Sequence, residues 1–190
     1  MSTSICFDFG NSRLKAAIFK SNELVEVVIL EKADMAEVDA LLTKWTPEKT
    51  ILSSVVHHDK NIETLLAAKS KFHLLGPATK INFTTPVGKP ETIGTDRLAL
   101  VAAAVNLNPN QHNLIISLGT CITYNFVNRQ HQFLGGSISP GTQMRFKAMH
   151  EQTALLPLVE PDHHFPLIGF DTKTNLQSGD LTGKLSYRLS

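Results

Sequence analysis

Apolar residues fall into short blocks whose spacing changes along the chain. Ser4 to Phe9 is a brief apolar and aromatic run that stops at Gly10-Asn11, and Arg13 to Lys20 resumes with a second one. Two strands joined by a tight glycine-containing turn are expected here. A Ser21-Asn22 turn then leads into Glu23 to Leu30, giving three antiparallel strands at the start. From Ala33 to Trp45 the apolar positions Met35, Val38, Leu41, Leu42 and Trp45 recur at helical spacing, and Pro47 ends the pattern. A β-branched run at Thr50 to Val56, a helical stretch at Asn61 to Ala68 and a strand-like Phe72 to Leu75 follow. A meander followed by alternating helix and strand predicts an α/β fold.

Between Gly76 and Gly94 the chain carries Pro77, Pro86, Gly88 and Pro90, too many breakers for a regular element. An alanine-rich helix is expected over Leu98 to Val105. Leu114 to Thr120 then opens a pattern like the first: Ser117-Leu118-Gly119-Thr120 lies over Asp8-Phe9-Gly10-Asn11, each with an apolar run before and after. Ile122 to Val127 and Phe133 to Ile138 answer the second and third strands. Two related lobes, 1–112 and 113–190, are the economical reading of this repetition. Thr142 to His150 reads as an amphipathic helix after the Pro140-Gly141 break, with Met144, Phe146, Met149, Leu155 and Leu156 as core or dimer-facing residues.

Composition narrows the class. The chain has 190 residues, 42% of them apolar, which suffices for a substantial core. Eighteen basic side chains against seventeen acidic ones leave a net charge of +1, which gives no electrostatic footprint for DNA or RNA. No apolar run is long enough to span a bilayer, and Met1 to Cys6 lacks the basic and apolar regions of a signal peptide. A soluble cytoplasmic protein with no membrane partner is expected. Cys6 and Cys121 sit far apart in apolar runs and read as buried thiols. His57-His58 on a strand would point to opposite faces, and His163-His164 lies in a proline-rich loop, so neither pair is expected to hold a metal.

Two stretches carry candidate chemistry. A glycine turn between antiparallel strands lets backbone N–H groups approach an anion closely, with phosphate as the natural guest. In the first such turn Asp8 stands at the strand end, where a carboxylate and a phosphate coexist only with Mg²⁺ or its water shell between them, and Arg13 and Lys15 add positive charge. Gly94-Thr95-Asp96-Arg97 opens a helix. Thr95 or Asp96 could cap it, Asp96 could accept a proton from a substrate hydroxyl, and Arg97 could bind a carboxylate. An ordinary hairpin and a plain helix cap with a surface ion pair are the competing structural readings.

In combination and order, Asp8 to Lys15, Gly94 to Arg97, Gly119 to Thr123, Gly135 to Gly141, and Asp171-Thr172 with Gln177 to Gly179 resemble type III pantothenate kinase. This family belongs to the acetate-and-sugar-kinase/Hsp70/actin superfamily. The resemblance implies two actin-like (ribonuclease H-like) lobes, each a mixed sheet with flanking helices. It also implies transfer of the ATP γ-phosphoryl group to the 4′-hydroxyl of pantothenate in coenzyme A synthesis, by a homodimer that uses Mg²⁺ and a monovalent cation, K⁺ or NH₄⁺. By the same resemblance Asp96 is the general base, Arg97 holds the pantothenate carboxylate, and Gly94 and Thr95 line the pocket. Thr172 reaches pantothenate from the second subunit. Asp8, Gly10, Asn11, Ser12 and Lys15 form the first phosphate loop, with Asp8 toward Mg²⁺, and Gly119-Thr120 form the second.

The sequence also departs from the family pattern. Ser117 and Asn125 stand where the family usually has aspartate, which leaves Ser117 as a weak candidate for the monovalent cation. Asp171 replaces an asparagine and keeps its capping capacity. The family continues past Gly179 with strand–helix units that finish the second lobe, so a lobe short at its C-terminus is expected here. A relative that keeps the fold and dimer without catalysis, acting as a binding or accessory protein, is the alternative these changes allow.

Overall fold

A computed structural model describes residues 2–86, 88, 90–162 and 164–186. Its first strands are β1 (Thr3–Phe9), β2 (Leu14–Lys20) and β3 (Glu23–Leu30), followed by α1 (Met35–Trp45), β4 (Lys49–Ser54), α2 (Lys60–Lys69) and β5 (Lys71–Leu74). They form one mixed sheet in the order β3-β2-β1-β4-β5. Strand β1 pairs antiparallel with β2 and parallel with β4, and β4 pairs parallel with β5. This is the ordering of an actin-like lobe, and the expected α/β class is observed.

Local chemistry explains the elements. Ser21 and Asn22, with φ of 49° and 72°, take the left-handed pair of conformations that suits a two-residue hairpin. Helix α1 starts at Asp34, whose carboxylate accepts from the Glu37 N–H at 3.0 Å, and α2 starts at Asp59, which accepts from the Asn61 N–H at 2.9 Å. One face of the sheet supplies Ile5, Phe7, Phe9, Ala16, Ile18 and Leu52 to a core that Val38 and Leu42 of α1 and Ile62 and Leu66 of α2 complete. Phe9 meets Phe7 edge to face with ring centroids 6.2 Å apart, and meets the His58 ring at 5.8 Å.

Residues 76–94 contain only a short 3-10 turn at Pro90–Thr92 among those described. Their anchor is a parallel bridge between Thr84 and Gln132, in which the Thr84 N–H donates to the His131 carbonyl at 2.9 Å and the Phe133 N–H donates back at 2.8 Å. The chain then enters α3 (Thr95–Leu107) and a three-stranded sheet β6 (Asn113–Leu118), β7 (Cys121–Val127) and β8 (Phe133–Pro140), in that order. Phe83, Ile93, Leu98, Val101, Val105, Val127 and Phe133 make a second core around α3. After β8 come α4 (Thr142–Glu151) and α5 (Thr172–Ser186). The chain divides into two compact units, residues 1–115 with 125–136 and residues 116–124 with 137–190.

Some expectations need correction. Cys6 and Cys121 are half-buried, because Cys6 lies on the sheet face away from the main core, although burial still pushes its thiol pKa up. His57 and His58 follow β4 in a loop, and His58 bridges Ser54 Oγ at 3.0 Å and Glu63 Oε1 at 3.1 Å. Of the apolar residues around α4 only Phe146 is buried, while Met144 is exposed and Leu155 is 93% exposed. Helix α5 has no counterpart in the apolar pattern, because Thr172, Thr174, Ser178 and Gly179 give it little periodicity or propensity. Truncating Phe9 to alanine should cost about 3–5 kcal/mol of stability, read as a lowered urea midpoint at unchanged slope, since it removes a fully buried ring beside the sheet end.

Candidate active site

The site begins with strand register. Asp8 faces Lys15 across the β1–β2 ladder and Ser53 across the β1–β4 ladder, so all three side chains lie on one face of the sheet. That face is opposite the core packed by Phe7 and Phe9. Ser53 donates from Oγ to Thr95 Oγ1 at 3.1 Å, and Thr95 donates onward to the Ser54 carbonyl at 3.3 Å. The first residue of α3 is therefore fastened to the end of β4, one strand from Asp8.

This fastening corrects the expected cap. Gly94 is the N-cap of α3 and has no side chain to bond with, Thr95 spends its hydroxyl on β4, and Asp96 sits in the first helical turn. A Cβ at Gly94 would lie 2.5 Å from Asp96 Oδ1, so the carboxylate folds over the bare glycine and any side chain there would displace it. Asp96 and Asp8 are near enough to interact. Desolvation at the strand end pushes the Asp8 carboxyl above its ordinary range, Lys15 opposes that shift, and the negative Asp96 adds to it.

Arg97 is held from a different direction. Its Nε donates to Asn125 Oδ1 at 2.6 Å, and its guanidinium lies 5.6 Å from the Phe133 ring centre. Asn125 is fully buried on β7, between inward-facing Thr123 and Val127. Ser53 carries no signal in the sequence as part of this site, and Asn125, singled out there only as a departure from the family's aspartate, is found to hold Arg97. A polar residue at an inward position of an apolar strand was the available signal for Asn125.

The two glycine turns share a detail. The Gly10 N–H donates to the Arg13 carbonyl at 3.1 Å, and the Gly119 N–H donates to the Cys121 carbonyl at 3.1 Å. The glycine N–H groups thus close their hairpins. The second turn is buttressed by Gly141, whose N–H donates to the Thr120 carbonyl at 2.9 Å. A Cβ at Gly141 would lie 2.6 Å from that oxygen. Thr172 begins α5, and the preceding Asp171 accepts from the Thr174 N–H and Oγ1, both at 2.7 Å. Those bonds hold the Asp171 carboxyl below its usual range and give it the expected capping role. Of two concavities of about 540 and 520 Å³, one is lined by Pro157, Glu160, Lys173 and Gln177, beside Thr172, and the other by Cys6, Ile51 and His73.

The five-stranded mixed sheet with its flanking helices defines an α/β protein. Residues 4–186 match the family described as type III pantothenate kinase, and the chain belongs to that family. It is 41% identical over 182 residues to the type III pantothenate kinase of Christiangramia forsetii, covering 95% of this chain and 75% of the relative. It is 37% identical over 193 residues to that of Bacteroides fragilis, covering 98% and 77%. The solved structure of a Campylobacter jejuni protein described as a Baf family transcriptional activator shares the fold. Its TM-score is 0.54 and its identity 19%, over 97% of this chain and 77% of that one.

Because ionised Asp8 is disfavoured in the folded state, stability falls as pH rises from the unfolded-state aspartate value through the raised folded-state one. Asp8→Asn should therefore melt slightly higher than the parent near neutral pH. That advantage should fade below about pH 4, where Asp8 is protonated in both states. Thermal melts across this range check it, and a lower neutral-pH melting point in the variant would contradict it.

Proposed function

We propose that the protein is an ATP-dependent pantothenate kinase that transfers the γ-phosphoryl group to the 4′-hydroxyl of pantothenate in coenzyme A synthesis. The observation that carries this reading is the grouping of Asp96 and Arg97 on the first turn of α3, with Asp8 in electrostatic range. In the reading, Asp96 accepts the proton of the 4′-hydroxyl as its oxygen bonds to the γ-phosphorus and the bond to the β–γ bridging oxygen breaks, releasing ADP. Arg97 binds the pantothenate carboxylate, and Gly94 and Thr95 border the substrate. Asp8, Gly10, Asn11, Ser12 and Lys15 form one phosphate-binding turn, and Gly119-Thr120 form the second. Thr172 completes the pocket from the second subunit of a homodimer, and the lobe assignment 1–112 and 113–190 belongs to the same proposal.

Mg²⁺ fits the donor set. A carboxylate whose ionisation is disfavoured by burial at the strand end, and further by the nearby Asp96, is suited to a hard cation shared with phosphate oxygens, and Asp8 is the residue that would hold it, directly or through water. When bound, the ion would neutralise charge on the phosphates. For K⁺ or NH₄⁺ the residues do not fit comparably: Ser117 offers one neutral hydroxyl, and the Asn125 amide oxygen is turned to Arg97. No described helix is long and apolar enough to cross a membrane. A cytoplasmic location, with neither nucleic acid nor membrane as partner, completes the reading.

The test is ADP release with ATP, Mg²⁺ and a potassium or ammonium salt, in the presence and absence of pantothenate. Pantothenate-dependent release supports the assignment, and its absence in folded protein overturns it. Asp96→Asn should lower kcat by about 10²- to 10⁴-fold with the circular dichroism spectrum unchanged. Arg97→Ala should raise the pantothenate KM by about tenfold or more while sparing an amide analogue that lacks the carboxylate. Sedimentation should give twice the chain mass, and a concentration-independent monomer would remove Thr172 from the site.

A further inference from the structure

We infer that Asn125 is the positioning residue for Arg97, fixing the guanidinium so that its outer edge is presented to the substrate carboxylate. The inference rests on the reading of Arg97 as the carboxylate clamp. Arginine carries considerable rotamer freedom, and a half-exposed arginine at a helix start has many conformations to lose before it can bind a planar anion. Two contacts remove that freedom here. The 2.6 Å bond from Nε to Asn125 Oδ1 fixes one edge of the guanidinium, and the Phe133 ring, 5.6 Å away, lies against it. With Nε engaged, the edge made by the two Nη groups is the one left for a bidentate partner.

The chemistry of position 125 suits this role. Asn125 is fully buried, so its amide oxygen is held by packing rather than by solvent, and β7 sets its height opposite the first turn of α3. The residue is also neutral. It orients the guanidinium without cancelling its charge, which stays available to an incoming carboxylate. An aspartate at this position would provide the same acceptor. The common requirement at position 125 is therefore an oxygen aimed at Arg97 Nε, which asparagine meets without the capacity to ligate a cation strongly.

The experiment compares the parent with Asn125→Leu, which keeps the approximate volume and removes the acceptor, and with Asn125→Asp, which keeps the acceptor. Steady-state constants are measured for pantothenate and for its carboxamide, together with the ¹⁵Nε–H resonance of Arg97. Asn125→Leu should raise the pantothenate KM by about tenfold with kcat and the carboxamide KM within about threefold of the parent. Asn125→Asp, which keeps the oxygen but pairs its charge with the guanidinium, should give a pantothenate KM between those of the parent and Asn125→Leu. The Arg97 Nε–H should be protected from exchange in the parent and in Asn125→Asp and lose that protection in Asn125→Leu. If Asn125→Leu does not fold, Asn125→Ser, too short to reach Nε, serves in its place. An unchanged pantothenate KM, or equal losses for acid and carboxamide, would overturn the inference. A parent without pantothenate-dependent turnover would instead overturn the kinase reading. The exchange measurement would still decide whether Asn125 holds Arg97, since an unprotected parent Nε–H refutes it.

Discussion

The side-by-side register of β2, β1 and β4 is the constraint on which the candidate site depends. A one-residue slip in either ladder would send Asp8 to the core face and bring Phe7 or Phe9 to the open one. The core prevents that slip, because Ile5, Phe7 and Phe9 are buried together with Leu52 and the inward faces of α1 and α2. Hydrophobic packing on one face thus fixes where a carboxylate stands on the other. The same register brings Ser53 next to Asp8, and through Ser53 and Thr95 it fixes the start of α3. Asp96 and Arg97 then follow as the next two residues of a helix whose first turn cannot rotate freely.

Electrostatics at this point are arranged against stability. Asp8 is harder to ionise than a free aspartate, chiefly because burial removes water from its carboxylate, with Lys15 as partial compensation and the nearby Asp96 adding to the shift. Nothing in packing requires a carboxylate there: an asparagine at position 8 would fill the same space without the repulsion. A site that lowers the stability of its own fold gains from a cationic or phosphate-bound partner, which is the logic of phosphoryl-transfer sites, where positioning and charge neutralisation do most of the chemistry. Arg97 follows the opposite rule, since it is placed by a neutral acceptor and an aromatic face that leave its charge uncancelled.

Much of this was legible along the chain. The Ser21-Asn22 turn and the apolar spacing of α1 are local signals, and the local structure obeys them. Asp8, Asp96 and Arg97 could be named from short motifs because their neighbours in sequence are also their neighbours in the site. Ser53, and the bond that ties Asn125 to Arg97, could not, since each is joined to α3 by strand pairing or packing between residues far apart in the chain. The capping role expected of Thr95 or Asp96 failed for the same reason: a tertiary partner on β4 took the Thr95 hydroxyl. Helix α5 was missed because its small polar residues carry no apolar period, and its start is set by the Asp171–Thr174 bonds.

The glycine turns show how a correct motif can carry an incomplete mechanism. The turns are expected to bring backbone N–H groups to phosphate, and those of Gly10 and Gly119 close the hairpins. The closure is tight at Gly10, where a Cβ would lie 3.2 Å from the Arg13 carbonyl. At the second turn that economy extends to a third glycine: Gly141 packs against the Gly119 and Thr120 carbonyls at a separation no other residue could tolerate. The shape of this turn is thus set by packing as the chain folds, and a turn ordered in that way has less freedom to lose on meeting any ligand.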